Sequence, residues 1–236
     1  MPNTLKLGCS TLQFGGHLLE QSLDGIRLAG YQAVELCCVP GMAHHFWPAL
    51  HKDALAILKG QIAARGLQLE SIGGSGACGS LESVKQTLAA AAALGAPFVT
   101  TGAGGKSNDE ESFKGVVKAY KEYAKVAADL GVRLSVKPHV SHAVYHGPSS
   151  LRFINELDTQ WVGINYDPTH IFRTPTTKIR LPPSSRWPRT SSPHATGTAP
   201  GASRRSARSK NRSAARAFWI CRPISPPCER CPICVM

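Results

Sequence analysis

The sequence has little of the patterning that marks membrane, secreted or nucleotide-binding proteins. No apolar run approaches the roughly 20 residues that a membrane-spanning helix needs, and the N-terminus has no basic stretch followed by an apolar one, as a secretion signal would. Residues 102–106 (GAGGK) lack the full spacing of a phosphate-binding loop, and the eight cysteines form no regular disulfide framework. We therefore expect a soluble, cytoplasmic protein with no membrane partner.

Acidic residues are nearly absent from the last quarter of the chain. Residues 1–173 hold 15 Lys and Arg against 14 Asp and Glu, whereas residues 174–236 hold 12 against 1. The second segment also contains ten of the seventeen prolines and no sustained hydrophobic period. These differences predict a folded domain at residues 1–173 and a disordered, basic tail at residues 174–236.

The first segment alternates short apolar runs with stretches of helical period. Strands are predicted at residues 5–9, 33–36, 67–72, 98–100, 132–136 and 162–166. Five amphipathic helices lie between them, with Leu50, Ala54 and Ile57 as the apolar positions of the second. This pattern indicates about six βα units around a parallel sheet, arranged either as a barrel or as a doubly wound sheet.

The ends of these helices carry residues that suit helix caps. Four glycines stand between a predicted helix and the next strand, where a left-handed residue is favoured, namely Gly30, Gly66, Gly95 and Gly131. Ser80, Asp109 and Ser149 stand where N-caps are expected.

Polar residues at the carboxyl ends of the strands are the candidates for function, because these ends meet at one mouth in a barrel. Asp167 follows an apolar strand and His170 comes three residues later, so carboxylate and imidazole could converge on a divalent metal ion. The alternative is an aspartate that caps the following turn beside a hydrogen-bonded histidine. His139 is a candidate ligand or substrate donor, or a hydrogen-bonded loop residue.

Two charged residues also end predicted strands. Burial of the Lys137 ammonium is costly unless the group is paired, which predicts either a functional placement or a salt bridge to Asp167 or Glu35. Glu35 ends the second strand as a lone carboxylate, with a catalytic role or a pairing with Lys137 as the alternatives.

Three segments together resemble the sugar phosphate isomerase/epimerase family, which has a xylose isomerase-like (β/α)₈ TIM barrel. Residues 30–36 (GYQAVEL) resemble the family's second strand, residues 136–139 (VKPH) its fifth, and residues 165–170 (NYDPTH) the Asp-x-x-His motif of its sixth. The resemblance covers about residues 4–173 and implies an incomplete TIM barrel. It further implies a divalent ion, often Mn, Mg or Zn, that assists proton transfer on a small sugar-like substrate.

Carried over residue by residue, the resemblance assigns the metal to Asp167 and His170, with Lys137, His139 and Glu35 as catalytic candidates around them. Lys137 stands where most members carry a metal-binding, catalytic Glu. The family's further ligands, a His or Gln on strand seven and a Glu on strand eight, have no counterpart in this sequence.

The tail has three interpretations. Residues 204–212 could form a basic arm for nucleic acid, and Cys228, Cys231 and Cys234 with Cys221 could bind a metal. The third interpretation is a reading-frame shift. In the alternative frame, residues 215–234 are compatible with a sequence that resembles the family's approach to strand eight. We favour the frameshift, which sequencing of the coding DNA would test.

Three hypotheses about function follow from the sequence. The first is a metal-assisted isomerase or epimerase acting on a small polyhydroxy carbonyl compound. The second is a non-catalytic, unstable fragment, because six strands leave a barrel open. The third, which we favour least, is a nucleic-acid binder that uses the basic tail. Assembly into a homo-oligomer stays open.

Overall fold

Short strands alternate with amphipathic helices along the described part of the computed structural model, which comprises residues 6–74, 79–173 and 219–221. The strands are β1 (Lys6–Ser10), β2 (Ala33–Val39), β3 (Ala43–His44), β4 (Gln68–Gly73), β5 (Phe98–Gly102), β6 (Arg133–Lys137), β7 (Val162–Ile164) and β8 (Trp219–Cys221). The helices are α1 (Leu19–Leu28), α2 (Lys52–Ala64), α3 (Leu81–Leu94), α4 (Glu110–Leu130), α5 (Gly147–Leu157) and α6 (Pro168–Phe172), with a 3-10 turn at Thr11–Phe14. The strands and helices predicted from the sequence are all present, whereas β3, α6 and β8 were not predicted.

The order of the strands distinguishes the two arrangements that the sequence left open. Strands β1, β2, β4, β5, β6 and β7 are parallel, and each is paired with the next in chain order. A doubly wound sheet would reverse this order at a switch point, so the unreversed order matches a (β/α)₈ barrel. The described residues contain six parallel strands, fewer than the eight of a closed barrel, which confirms the prediction of an incomplete TIM barrel.

One short strand falls within the segment that was expected to lack regular structure. Strand β8 pairs antiparallel with β1 and places Ile220 opposite Leu7. The pairing satisfies backbone groups along an edge of β1 that would otherwise lack partners. The rest of residues 174–236 lies outside the described residues, and with it the basic arm, most of the cysteine cluster and the proposed frameshift.

A single apolar core joins one face of the sheet to the helices. The strands contribute Val34, Leu36, Ile72, Val99, Leu134 and Val136, and the helices contribute Leu23, Ile26, Leu88, Tyr120 and Phe153, among others. Tyr120 packs edge-on against Phe153 with ring centroids 5.2 Å apart, and its hydroxyl donates to the carbonyl of Gly102 at 2.9 Å. This contact fastens α4 to the carboxyl end of β5, where the candidate site begins.

The apolar face assigned to the second helix was wrong. Leu55, Leu58 and Ile62 of α2 are buried, whereas the side chain of Ile57 is 64% exposed. The helix begins at Lys52, so Leu50 precedes it. Two apolar stripes overlap in this segment, and only packing against the neighbouring helices and sheet selects one of them.

Most of the predicted helix ends are confirmed. All four glycines have positive φ, and Gly95 and Gly131 are the left-handed C-caps of α3 and α4. Ser80 and Asp109 are N-caps, and Asp109 accepts from the backbone N–H of Ser112 at 2.9 Å. Ser149 was a wrong assignment, because His146 caps α5 and accepts from the Ser149 N–H at 3.2 Å. Pro148 favours this earlier start, since proline suits the first turn of a helix.

Within the described part of the chain, no helix combines the length and the apolar character needed to cross a bilayer.

Candidate active site at the carboxyl ends of the strands

Side-chain alternation gives the sheet a polar face opposite the helices. Val34 and Leu36 are fully buried against the helices, so Glu35 between them points to the other face. The same alternation places Lys137 on this face at the end of β6. Strand pairing aligns Glu35 with Ser71 and Gly102 with Lys137. Lys137 ends β6, whereas the prediction that Glu35 ends its strand was wrong, because β2 continues to Val39. The strand register places Glu35 level with Ser71, Phe98 and Arg133 on the neighbouring strands.

Asp167 lies at the centre of the strongest polar cluster. Its side chain is only 4% exposed. The backbone N–H and the hydroxyl of Thr169 donate to Oδ1 at 3.0 and 2.6 Å. Its other oxygen, Oδ2, lies 3.6 Å from the Lys137 ammonium and 3.8 Å from Nε2 of His170. Asp167 thus caps the turn after β7 and also faces both a cation and an imidazole.

The surroundings of Asp167 keep it charged. Burial raises the pKa of this carboxyl, but the hydrogen bonds from Thr169, the charge of Lys137 and the nearby His170 ring together lower it by more, so the pKa lies below its ordinary value. The salt bridge to Lys137 is one of the two pairings that the sequence suggested. An ionised, nearly inaccessible carboxylate is thereby held at the end of β7.

Three histidines form a cluster that begins beside this carboxylate with His170. The ring of His139 is 4.5 Å from that of His170 and 4.7 Å from that of His142, measured between centroids. Burial is the largest cause that lowers the pKa of each. Arg173 and Lys137 lower the pKa of His139 further, with Asp167 opposing them. Neutral imidazoles, which can bind metals or donate a single hydrogen bond, therefore dominate at neutral pH.

The His142 ring occupies space that a side chain at position 102 would fill, since residue 102 is a glycine. A Cβ built on Gly102 would lie 2.7 Å from Cε1 and 3.0 Å from Nδ1 of the His142 ring. The loop is held there because the His142 N–H donates to the carbonyl of His139 and the Ala143 N–H to that of Gly104, both at 2.9 Å. Nδ1 of His142 is buried and has no hydrogen-bond partner within the described residues. His142 was not among the candidate residues from the sequence, although a glycine ending a strand signals close approach by another group.

Glu35 has its own positioning contacts. The hydroxyl of Ser71 donates to Oε2 of Glu35 at 3.1 Å, and the carboxyl lies over Gly73, where a Cβ would be 3.0 Å from its Cδ. Cys37 lies two residues further along β2. Burial, followed by the nearby charge of Glu35, raises the pKa of Cys37 to about 12. Cys37 is therefore a protonated thiol at neutral pH.

Asp167 and His170 are the two described residues that could hold a metal ion. Asp167 and His170 offer an ionised carboxylate and a neutral imidazole as metal ligands. Divalent Mn, Mg and Zn ions bind such ligands with different preferences. In residues 6–74 and 79–173, no group of three or more His, Cys, Asp or Glu side chains is placed to hold an ion. The donor chemistry of this pair fits a divalent ion, with the Lys137 ammonium close beside it.

A separate cavity of about 380 Å³ lies between the starts of α4 and α5. It is lined by residues that include Asp109, Phe113, Tyr145, His146 and Arg152. None of the five candidate residues from the sequence lines it. The candidate residues from the sequence therefore lie outside this cavity.

Solved structures with the same arrangement of strands and helices come from several organisms. A xylose isomerase-like TIM barrel protein from Mycobacterium smegmatis, in complex with magnesium, is 20% identical, with a TM-score of 0.58 over 72% of this chain and 67% of that one. D-allulose 3-epimerase from Methylomonas sp., in complex with D-allulose, is 19% identical, with a TM-score of 0.58 over 74% and 66%. A probable 3-DHS dehydratase from Bacillus anthracis is 17% identical, with a TM-score of 0.58 over 71% and 64%. The chain thus spans about two thirds of the length of these proteins, and the similarity concerns the fold.

The comparison with curated protein sequences gives no match. A family model described as the xylose isomerase-like TIM barrel matches residues 23–190, which is well over half of the chain. The match includes the strands that carry Glu35 and Lys137 and the turn that carries Asp167. The chain therefore belongs to the xylose isomerase-like TIM barrel family.

Proposed function

We propose that this protein is an isomerase or epimerase that removes a proton beside the carbonyl of a small polyhydroxy compound and returns a proton to the adjacent carbon or to the same one. The observation that carries the proposal is the cluster around Asp167, where an ionised carboxylate lies beside Lys137 and two neutral imidazoles at the carboxyl ends of the strands. Membership of the family supports this class of reaction. Cationic and neutral donors beside a carboxylate suit a substrate whose oxygen gains negative charge as a neighbouring C–H loses its proton.

A divalent ion is part of the proposal. Asp167 through Oδ2 and His170 through Nε2 are the residues that would hold it. When bound, the ion would polarise a carbonyl and the adjacent hydroxyl. Thr169 has a positioning role, since its two hydrogen bonds fix Oδ1 of Asp167 and leave Oδ2 directed toward His170.

The remaining three candidates act on the substrate itself. Glu35, oriented by Ser71, is the carboxylate that accepts the proton from carbon. His139 donates a hydrogen bond to a substrate oxygen, as its neutral imidazole retains one N–H. The Lys137 ammonium stabilises the oxygen on which negative charge develops.

A sugar or sugar-like compound is the proposed substrate class. Two of the structurally similar proteins were solved with D-allulose and in the presence of D-fructose, respectively. Both compounds are ketohexoses, in which a carbonyl stands beside hydroxyl-bearing carbons. A small-molecule partner is favoured over nucleic acid, because the charges of residues 1–173 nearly balance.

Deuterium exchange tests the proposed reaction. The full chain is incubated in D₂O with D-allulose, D-fructose and other ketoses, with and without Mn²⁺, and incorporation beside the carbonyl is followed by NMR. We expect Glu35→Gln to slow exchange by about 10²- to 10⁴-fold. Glu122→Gln, which alters an exposed carboxylate on α4, should leave the rate unchanged. A folded protein that exchanges none of these compounds would contradict the proposed activity.

Calorimetry tests the proposed metal site separately. Titration of the full chain with Mn²⁺, Mg²⁺ or Zn²⁺ should show binding that Asp167→Ala abolishes. Asp129→Ala, at an exposed position of α4, is the matched control and should bind as the wild type does. Binding that survives Asp167→Ala undiminished would place the ion elsewhere.

A second candidate is a non-catalytic chain. It is favoured by the antiparallel pairing of β8 with β1, because a closed (β/α)₈ barrel pairs a parallel eighth strand there. The proposed frameshift would account for such a difference, and sequencing the coding DNA would refute it if the alternative frame is not open. Thermal unfolding tests the candidate itself, since a cooperative transition at an ordinary temperature would argue against an unstable fragment.

A further inference from the structure

The two oxygens of Asp167 have different partners. Oδ1 accepts both hydrogen bonds from Thr169, at 3.0 and 2.6 Å. Oδ2 faces the Lys137 ammonium at 3.6 Å and Nε2 of His170 at 3.8 Å. An ion bound by Asp167 and His170 together would bind through Oδ2, which is the oxygen that the ammonium already faces.

The position of Lys137 follows from the strand that carries it. Lys137 is the last residue of β6, paired in register with Gly102. The side chain is 29% exposed, whereas that of Asp167 is 4% exposed. The carboxylate is therefore confined, while the ammonium has a route toward solvent along its flexible stem.

We propose that Lys137 controls the loading of metal at this site, because its ammonium and a divalent ion compete for Oδ2 of Asp167. Without metal, the ammonium balances the charge of the carboxylate, which would be costly to bury alone. An ion at Oδ2 and an ammonium at its present position would repel each other at short range. Binding of the ion therefore displaces the Lys137 ammonium from Oδ2 of Asp167, which lowers the affinity for metal. This inference rests on the proposed metal site.

The test compares Mn²⁺ affinity among variants of the full chain by calorimetry at fixed ionic strength. Lys137→Met keeps the aliphatic stem and removes the charge, so we expect Mn²⁺ to bind at least tenfold more tightly. Lys106→Met removes the same charge from an exposed loop position after β5 and should change affinity less than twofold. Lys137→Arg keeps the charge and should remain close to wild type.

The possible results separate failure of the proposed competition from failure of the proposed metal site. Equal affinity for wild type and Lys137→Met, with binding lost in Asp167→Asn, would overturn the competition and leave the proposed metal site standing. Absence of binding in all variants, each checked for folding by circular dichroism, would overturn both. Lys137→Gln provides a second neutral variant if Lys137→Met fails to fold. Tighter binding in Lys137→Arg as well would assign the effect to packing rather than charge and would also overturn the inference.

Discussion

The contact between Gly102 and His142 makes a sharp prediction about stability. A Cβ on Gly102 would lie 2.7 Å from Cε1 of the His142 ring, whereas ordinary van der Waals contacts begin at 3.4 Å. Gly102 has no positive φ, so alanine is compatible with its backbone conformation. The cost of Gly102→Ala must therefore come from displacing the imidazole.

Two opposing effects set the magnitude. Overpacking at a well-packed site costs about 1–3 kcal/mol. Replacing glycine by alanine within a regular element restores about 0.5–1 kcal/mol through backbone entropy. We expect Gly102→Ala to lower the free energy of unfolding by about 1–2 kcal/mol in the wild type. In a His142→Ala background it should raise the free energy of unfolding by about 0.5–1 kcal/mol.

Urea unfolding at pH 8, followed by circular dichroism, measures the four proteins of this double-mutant cycle. Gly60→Ala is the matched control, because Gly60 lies within α2 and a Cβ there meets nothing within 4 Å. It should stabilise the protein by about 1 kcal/mol whether or not His142 is present. If the effects of Gly102→Ala and His142→Ala on the free energy of unfolding are additive within about 0.5 kcal/mol, the position of the His142 ring over Gly102 is refuted.

Three further predictions concern the scaffold around the site. Phe153→Ala should destabilise the protein by about 3–5 kcal/mol in urea unfolding, because this fully buried ring packs against Tyr120; a loss below 1 kcal/mol would contradict that packing. Asp109→Ala should cost about 0.5–2 kcal/mol through loss of the cap on Ser112, and Asp109→Ser should restore most of it. Burial raises the pKa of Cys37 to about 12, so this thiol should react with iodoacetamide at pH 8 only after the protein is unfolded in urea. Peptide mass mapping measures the labelling, and rapid labelling of Cys37 in the folded protein would refute its burial.

The sequence predicted the parts of the fold that depend on local chemistry. Gly95 and Gly131 were identified because a left-handed residue ending a helix favours glycine, and the structure confirms both. Asp109 was recognised as a cap for a similar reason. Ser149 was not resolved correctly, since His146 offers an equivalent acceptor three residues earlier.

The candidate site was predictable as a set of residues but not as a set of contacts. Glu35, Lys137 and Asp167 were chosen as candidates because the sequence places them at or after predicted strand ends. The cost of burying the Lys137 ammonium predicted that it has an acidic partner. Neither argument could choose between Glu35 and Asp167 as that partner, because the choice depends on strand register and on the turn after β7. The strand register and the turn after β7 together place the Lys137 ammonium 3.6 Å from Oδ2 of Asp167.

The sequence by itself determined the alternation of strands and helices, the turns between them and the polar residues that end the strands, since these depend on neighbours a few positions away. The tertiary structure decided the barrel order of the strands, the buried face of α2, the position of His142 over Gly102 and the oxygen of Asp167 that Lys137 faces. These features join residues that are distant in the chain, and their energies depend on which surfaces meet after folding.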